Sequence, residues 1–470
     1  MKLNIIKTFA MLSLGVATFS SCDDRLDLLP QDQIAADLAF VDERSARGSL
    51  MGAYSRMQDL EVFGSMPAVI NEYMSDNVNF AGSFVTLQDI NNYVTRADNG
   101  TVEGIWRDHY RVFLAANAVI ANTPNVEDIG FTDEEKNQVV AEAKFVRAIT
   151  YFQLVNLFAH TYTFDNGAGL GVPVVTEPFT GEVTLPARST VAEVYAQIIK
   201  DLDEASTYLS TSTDPQLATL GAADALRSRV YLYMGDWAKA NQYADAVIAN
   251  KGYVLATDFT FFGDKNTAEH IFNLQNSATD NGATGSGGWA SYYNAATDGG
   301  RGDAPIAQAF IDAYDATDLR YTSLIQEDKV DAQGQPATFT AKFPDGVTDA
   351  DNAPLLRLTE VHLNKAEALA ELNGVNQASL DIINDLRERA GLSLLALSDF
   401  ADKAAFIDAI LEERRKELAF EGHRRPDLLR KGKDLRAGNP DAAYGANKTI
   451  LPIPQDEMDI NPSLVQNDGY

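Results

Sequence analysis

The chain has 470 residues, and 67 acidic against 38 basic side chains leave it a net charge of −29. A body this acidic repels phosphate backbones and suits anionic lipid poorly, so nucleic acid is excluded as an expected partner, as is a flat membrane-surface association. With 45% hydrophobic and 22% charged residues there is ample material for a core, and the length permits several domains or one large helical body.

Lys2 and Lys7 open the chain with a short basic stretch, residues 5–19 are mostly apolar, and Ser20 and Ser21 lead up to Cys22, the only cysteine. This layout predicts a secretory signal peptide over residues 1–21. The apolar run is shorter than the roughly 20 residues that span a bilayer, and no later stretch is long enough. The mature chain is therefore expected to be exported without crossing a membrane. A lone thiol can make no internal disulfide. Directly after the apolar run and two small residues, Cys22 reads as a lipoprotein processing site, acylated as the first mature residue. One acyl chain binds a membrane marginally and two or more bind firmly, so the expected membrane contact is the lipid anchor alone. Residues 22–36, acidic at the start and carrying Pro30, read as the lipidated cysteine and its tether, and residues 37–470 as the body, with an N-terminal part to about 255.

Within the body, "NEYMSDNVNFAGSFVTLQDINNYV", residues 71–94, is the first stretch without a helical signature. "FTDEEKNQVVAEAKFVRAITYFQLVNLFAHTY" then runs without Gly or Pro, and Thr132 with Glu135 fits a capping box at its start. "RSTVAEVYAQIIKDLDEASTYL" repeats the device with Thr190 and Glu193. In "GAADALRSRVYLYMGDWAKANQYADAVIANKGY", Ala222, Leu226, Val230 and Tyr233 share one face. "MGDW" makes a turn, and Ala240, Tyr243, Ala244 and Val247 share the next face. Small alanines at close spacing make this pair look like a tetratricopeptide unit. Residues 276–305, "NSATDNGATGSGGWASYYNAATDGGRGDAP", form a second long aperiodic stretch. Loops of this length are usually functional or disordered, and the aromatic content argues against disorder. "LLRLTEVHLNKAEALAELNG" places Leu358, Val361, Ala368 and Leu372 at helical spacing, stops at Gly374 and passes into "ASLDIINDLRERAGL". Several such pairs predict an all-α helical-repeat fold whose faces are buried only by stacking.

Catalytic and cofactor patterns are missing from the sequence. His109, His160, His270, His362 and His423 occur in no H-E-x-x-H arrangement, and there is no G-x-S-x-G, P-loop or G-x-G-x-x-G pattern, so no metal or other cofactor is implied. Asp345, Asp349 and Asp351 cluster in "PDGVTDADN", which could hold calcium but fits an acidic surface loop better. "ILEERRKELAFEGHRR" interleaves Glu412, Glu413, Glu417 and Glu421 with Arg414, Arg415, Arg424 and Arg425. Neighbouring arginines hold carboxyl pKa values low, which suits an ion-pair network and not the general acid of a glycoside hydrolase.

Taken in order, Cys22 with "RLDLLP", "NEYMSDN", "IWRDHYRVFLAANAVI", "AEAKFVRAITYFQLVNLF", "GVPVV", "RSTVAEVYAQIIKDLDEA", "ADALRSRVYLYMGDWAKA", "LRLTEVHLNKAEALAELNG", "INDLRERAGL", "EERRKELAFEGHRRPDLLRKG" and "ILPIPQDEMDINPSLVQNDGY" resemble the SusD/RagB outer-membrane lipoproteins over essentially the whole chain. The resemblance implies an all-α fold of tetratricopeptide-like pairs supporting a large loop-rich helical body. It further implies a lipid-anchored, non-enzymatic protein at the outer surface of a Bacteroidetes-type cell. Such a protein would bind glycan, or in some members peptide, and pass it to a SusC-like TonB-dependent transporter. One departure is visible: the Trp-Phe usual after "GHR" is replaced by Arg425 and Pro426.

The family carries its ligand site on variable loops, so candidates are chosen by chemistry. Sugars present apolar C–H faces edged by hydroxyls, which calls for exposed aromatic platforms ringed by amides and carboxylates. Trp289, Tyr292 and Tyr293 with Asn281, Asn294, Asp298 and Arg301 fit best, and Tyr73, Asp76, Asn77, Asn79, Phe80 and Phe84 come second. Trp106 and Trp237 lie in helical patterns and are expected in the core. The competing reading is a tetratricopeptide scaffold whose ligand is a protein or peptide.

Overall fold

The computed structural model describes residues 39–281 and 287–470. The expected signal peptide, Cys22 and the tether lie outside the described residues. The body is mostly helical, with two short two-stranded antiparallel sheets. Its principal helices are α1 (Glu43–Met57), α2 (Met66–Tyr73), α3 (Val85–Asn91), α4 (Gly100–Asn122), α5 (Asp133–Phe158), α6 (Val191–Ala205), α7 (Leu220–Met234) and α8 (Trp237–Ala249). A five-residue helix α9 (Trp289–Tyr293) follows, then α10 (Leu358–Asn373), α11 (Gln377–Arg389), α12 (Lys403–Glu417) and α13 (Arg424–Arg430). The strands are β1 (His270–Leu274), paired with β4 (Ala353–Arg357), and β2 (Ile325–Val330), paired with β3 (Pro336–Thr340).

Helix starts follow their local chemistry. Thr132 and Glu135 form a reciprocal capping box on α5, and Thr190 and Glu193 form another on α6, each satisfying backbone N–H groups that have no intrahelical partner. Gly235 ends α7 at φ 76°, a left-handed conformation that favours glycine, and Asp236 then caps α8 by accepting from the Lys239 N–H. The predicted pair is therefore α7 and α8, which pack on each other, and α8 packs in turn on α10.

One hydrophobic cluster runs from Ala46 in α1 to Leu464 near the C-terminus, so segments from both halves of the chain share it. A smaller cluster joins Leu363, Ala366 and Ala370 of α10 to Leu380 and Ile383 of α11 and to Phe406 and Ile410 of α12. Helix α10 is thus buried on two faces, although Leu372 at its end is exposed. Trp106 is buried as expected, whereas Trp237 is only partly covered at the core's edge.

The charged segment at the end of α12 is an ion-pair network, but apart from Arg415 with Glu412 its partners are not the arginines interleaved with it. Glu417 accepts from Arg320 Nη1 at 3.0 Å and Arg389 Nη2 at 2.7 Å, and Glu421 accepts from Arg357 Nε at 2.8 Å and Lys342 Nζ at 2.6 Å. Arg414 reaches instead to Asp427 at 2.7 Å and to Asn364 of α10 at 2.8 Å. Glu360 and Glu367, on the same stripe of α10 as Asn364, are engaged by Arg229 and Arg430. Burial alone would raise these carboxyls. Arg389, Arg320 and Arg357 outweigh it and bring Glu417 to about 2, and Arg357 with Lys342 brings Glu421 to about 2.

Arg425, at the departure from the family pattern, is 1% exposed and donates to the Thr449 and Asn156 carbonyls and to Asn71. Burial pushes its guanidinium down to about 10. These hydrogen bonds tie the start of α13 to the segments around Asn71, Asn156 and Thr449.

Removing one member of a buried pair strands the other, so Glu417→Gln is expected to lower stability by about 3–5 kcal/mol in urea unfolding at neutral pH. Glu417 and Glu421 have folded pKa values of about 2 against an ordinary 4.5. Their stabilisation is therefore complete above about pH 4.5 and lost as pH falls toward 2. The gap between wild type and Glu417→Gln should narrow across that window.

Candidate functional site

The two aperiodic stretches of the sequence lie side by side. The Asn79 N–H donates to the Pro305 carbonyl at 2.8 Å, Ala81 N–H to Asp303 at 2.9 Å, and Ala307 N–H to Asn77 at 2.9 Å, so residues 77–81 run antiparallel to residues 303–307. Residues 332–338 border them, through Ala332 N–H to Gly302 O and Ile306 N–H to Thr338 O. Gly82 permits the tight approach at the rim, since a Cβ there would lie 2.8 Å from the Asp303 carboxyl carbon and 2.9 Å from the Phe80 ring.

The candidate residues divide between anchors and surface. Trp289, Tyr292 and Tyr293 do not form the expected exposed platform; they make up α9 and are 4%, 3% and 1% exposed. The Trp289 and Tyr293 rings pack on Phe343 with centroids at 5.0 and 5.6 Å. Asp349 holds the helix by accepting from Ser291 N–H at 3.0 Å, and Asn294 is buried, donating to the Phe343 carbonyl at 2.9 Å. The remaining aspartates of that loop are also in use: Asp345 accepts the Thr348 N–H and Asp351 the Asp345 N–H. Asn281 donates to the Ser277 and Thr348 carbonyls, and residues 282–286 after it are outside the described residues.

In the first stretch Tyr73 is fully buried, its ring edge-on to Phe80 at 5.1 Å. Asp76 is a bidentate acceptor for Arg424, at 2.6 and 2.8 Å, and Asn77 is buried, accepting from Arg415 at 2.8 Å. Glu72 behind them accepts from Asn77 and from the Phe420 N–H. Its carboxyl is buried, and burial raises it to about 7 despite those hydrogen bonds. The "SDN" turn therefore bolts the loop to the α12–α13 junction.

Phe84 remains as the exposed aromatic, at 54%, with Val85 beside it at 66%. The guanidinium of Arg301 lies over the Phe84 ring at 4.2 Å and over the Tyr292 ring at 4.5 Å. Arg301 Nε donates to Asp303 at 2.7 Å, and Asp298 pairs with Lys329 at 2.9 Å. Cation–π contacts with the two rings, together with the Asp303 pair, hold the arginine and through it orient Phe84. The surface thus presents one apolar ring, the exposed amide of Asn79 and half-buried polar groups, a combination that suits the C–H face and hydroxyl edge of a sugar. Asp303 and Gln333, which donates to the Ala81 carbonyl, were not among the sequence candidates. Only their positions in glycine-containing loop stretches could have drawn attention to them.

A separate groove of about 440 Å³ lies between α4 and the segments around Phe179 and Ile460, lined mainly by Tyr110, Leu114, Phe179, Val183, Leu185 and Ile460. Among the described residues no group of His, Cys, Asp and Glu could hold a metal ion, and no helix is long and apolar enough to cross a membrane.

Comparison with known proteins agrees with this architecture. Residues 45–232 match the family model described as "Starch-binding associating with outer membrane", and residues 338–470 match that of the SusD family. SusD-like protein P2 of Formosa agariphila is 28% identical, across 98% of this chain and 99% of its own. A SusD superfamily crystal structure from Bacteroides thetaiotaomicron VPI-5482 has a TM-score of 0.80 at 26% identity, covering 92% of this chain and 100% of that one. A laminarin-binding SusD-like protein has a TM-score of 0.76 at 25% identity, covering 91% and 100%. The chain belongs to the SusD/RagB family, a family of glycan-binding proteins associated with the outer membrane.

Trp289 and Phe84 are expected to respond differently to truncation. Trp289→Ala removes a buried aromatic and should cost about 3–5 kcal/mol of stability in denaturant unfolding. Phe84→Ala, on the surface, should stay within about 0.5 kcal/mol of wild type.

Proposed function

We propose that the protein binds oligo- or polysaccharide on the Phe84 surface and delivers it to a TonB-dependent SusC-like transporter. The observation that carries the binding reading is the exposed Phe84 ring, oriented by Arg301 at the junction of the two aperiodic loops. Family membership and the laminarin-binding neighbour support glycan as the ligand class. The protein acts by binding and not by hydrolysis: the acids of the α12 segment are tied to arginines and lysine, and Glu72, raised to about 7, is fully buried away from any ligand.

Affinity electrophoresis in gels containing starch, laminarin, xylan or mannan tests this reading, with Phe84→Ala beside wild type. Retardation by at least one polysaccharide is expected, weakened about 2- to 10-fold in the variant, the range of one aromatic stacking contact. No retardation by any of them, or release of reducing sugar by the purified protein, would count against it.

Lipid anchoring through Cys22 and an orientation toward the cell exterior complete the proposal. In cells, Cys22→Ser is expected to move the protein from the membrane to the soluble fraction, and surface labelling of intact cells should reach the wild type. The apolar groove around Phe179 favours a protein neighbour, since contiguous exposed apolar surface marks interaction sites. A transporter that copurifies with the detergent-extracted wild type would supply that neighbour. Binding of a soluble peptide or protein without any glycan would favour the scaffold reading instead.

A further inference from the structure

We infer that the site selects electrically neutral glycans and rejects sulfated or uronate-rich ones. This rests on the reading of the Phe84 surface as the glycan site, and it concerns which glycans that surface admits.

The inference comes from the charge distribution. Residues 71–94 carry Glu72, Asp76 and Asp89 with no Lys, Arg or His, and residues 276–305 carry Asp280, Asp298 and Asp303 with Arg301 alone on the other side. Residues 282–286 read Gly-Ala-Thr-Gly-Ser and alter nothing in that balance. The two stretches that build the surface therefore hold six acidic side chains, one of them the buried Glu72, and one guanidinium.

Cations that reach these stretches from outside are engaged as well: Arg436 donates to the Ser75 and Asn91 carbonyls, Arg425 to Asn71 and Lys265 to the Asn276 carbonyl, and the others are paired with carboxylates. Lys329 pairs with Asp298 at 2.9 Å, and Arg424 and Arg415 pair with Asp76 at 2.6 and 3.2 Å. Arg301 is bonded to Asp303 at 2.7 Å, and its guanidinium lies over the rings of Phe84 and Tyr292. At Arg301, Lys329, Arg415 and Arg424 an anionic ligand group would have to displace a carboxylate from its cation, leaving a like charge beside itself in a partly desolvated setting. Opposite-sign complementarity is what nucleates recognition of polyanions, and a chain of net charge −29 opposes their approach as well. A neutral sugar asks only for the apolar ring and hydrogen bonds.

The test compares charged and uncharged derivatives of one backbone. Starch, laminarin, xylan and mannan, each as hydroxyethyl and as carboxymethyl derivative, are run in affinity gels at low and high salt. The hydroxyethyl form controls for the bulk of the substituent. For the backbone that binds, the carboxymethyl form is expected to be retained at least tenfold more weakly at low salt, with the gap closing as salt screens the repulsion. Asp298→Asn, which releases Lys329, is expected to narrow the gap between the two forms. Equal or stronger retention of the carboxymethyl form, fading with salt, would overturn the inference while leaving the glycan reading intact. Retention of neither form of any backbone would remove the glycan reading and this inference with it.

Discussion

Residues 412–430 carry a charge network into which much of the rest of the molecule is plugged. Glu417 and Glu421 draw in Arg320, Lys342, Arg357 and Arg389, while Arg414 and Arg430 hold Asp427 and the polar stripe of α10. Replacing such a network by apolar residues can be neutral or stabilising in other proteins, so its presence is weak evidence for stability as such. What it supplies here is position. Each guanidinium has few carboxylates within reach, and satisfying all of them leaves little freedom in how α10, α11, α12 and α13 and the strands beside them are placed.

The same segment sets the candidate site. Arg415 and Arg424 hold Asp76 and Asn77, the Phe420 N–H donates to Glu72, and Tyr293 packs on Phe420 at 5.8 Å. Both aperiodic stretches are therefore fastened from beneath to one junction, and their outer parts meet where Arg301 contacts the rings of Phe84 and Tyr292. A ligand surface on rigidly held loops loses less conformational entropy on binding than one on mobile loops. In the proposed site the buried aromatics would act indirectly, by holding the segments against which Phe84 is presented.

Electrostatics links the two levels. In the interior, charges are tolerated because each has a partner at hydrogen-bond distance, and at the proposed site Arg301, Lys329, Arg415 and Arg424 are paired with carboxylates in the same way. Such pairing in an acidic protein underlies the proposed preference for uncharged sugars over polyanions.

Local chemistry alone determined the helices and their ends. The capping boxes at Thr132 and Thr190, the turn at Gly235 and the periodic faces of α7 and α8 all depend on residues a few positions apart, which is the range over which a helix is specified. The ordered set of family motifs was legible for the same reason. The aromatic loop was not, because composition reports which groups a loop contains and not which way they face. Trp289, Tyr292 and Tyr293 turn inward because Asp349, 58 residues beyond Ser291, holds their helix and Phe343 offers a ring to pack on. The partners of Glu417 likewise come from 28 and 97 residues away, and not from the arginines next to it in the chain. Which charges pair and which rings are buried are properties of segments brought together by packing, so only the tertiary structure could decide them.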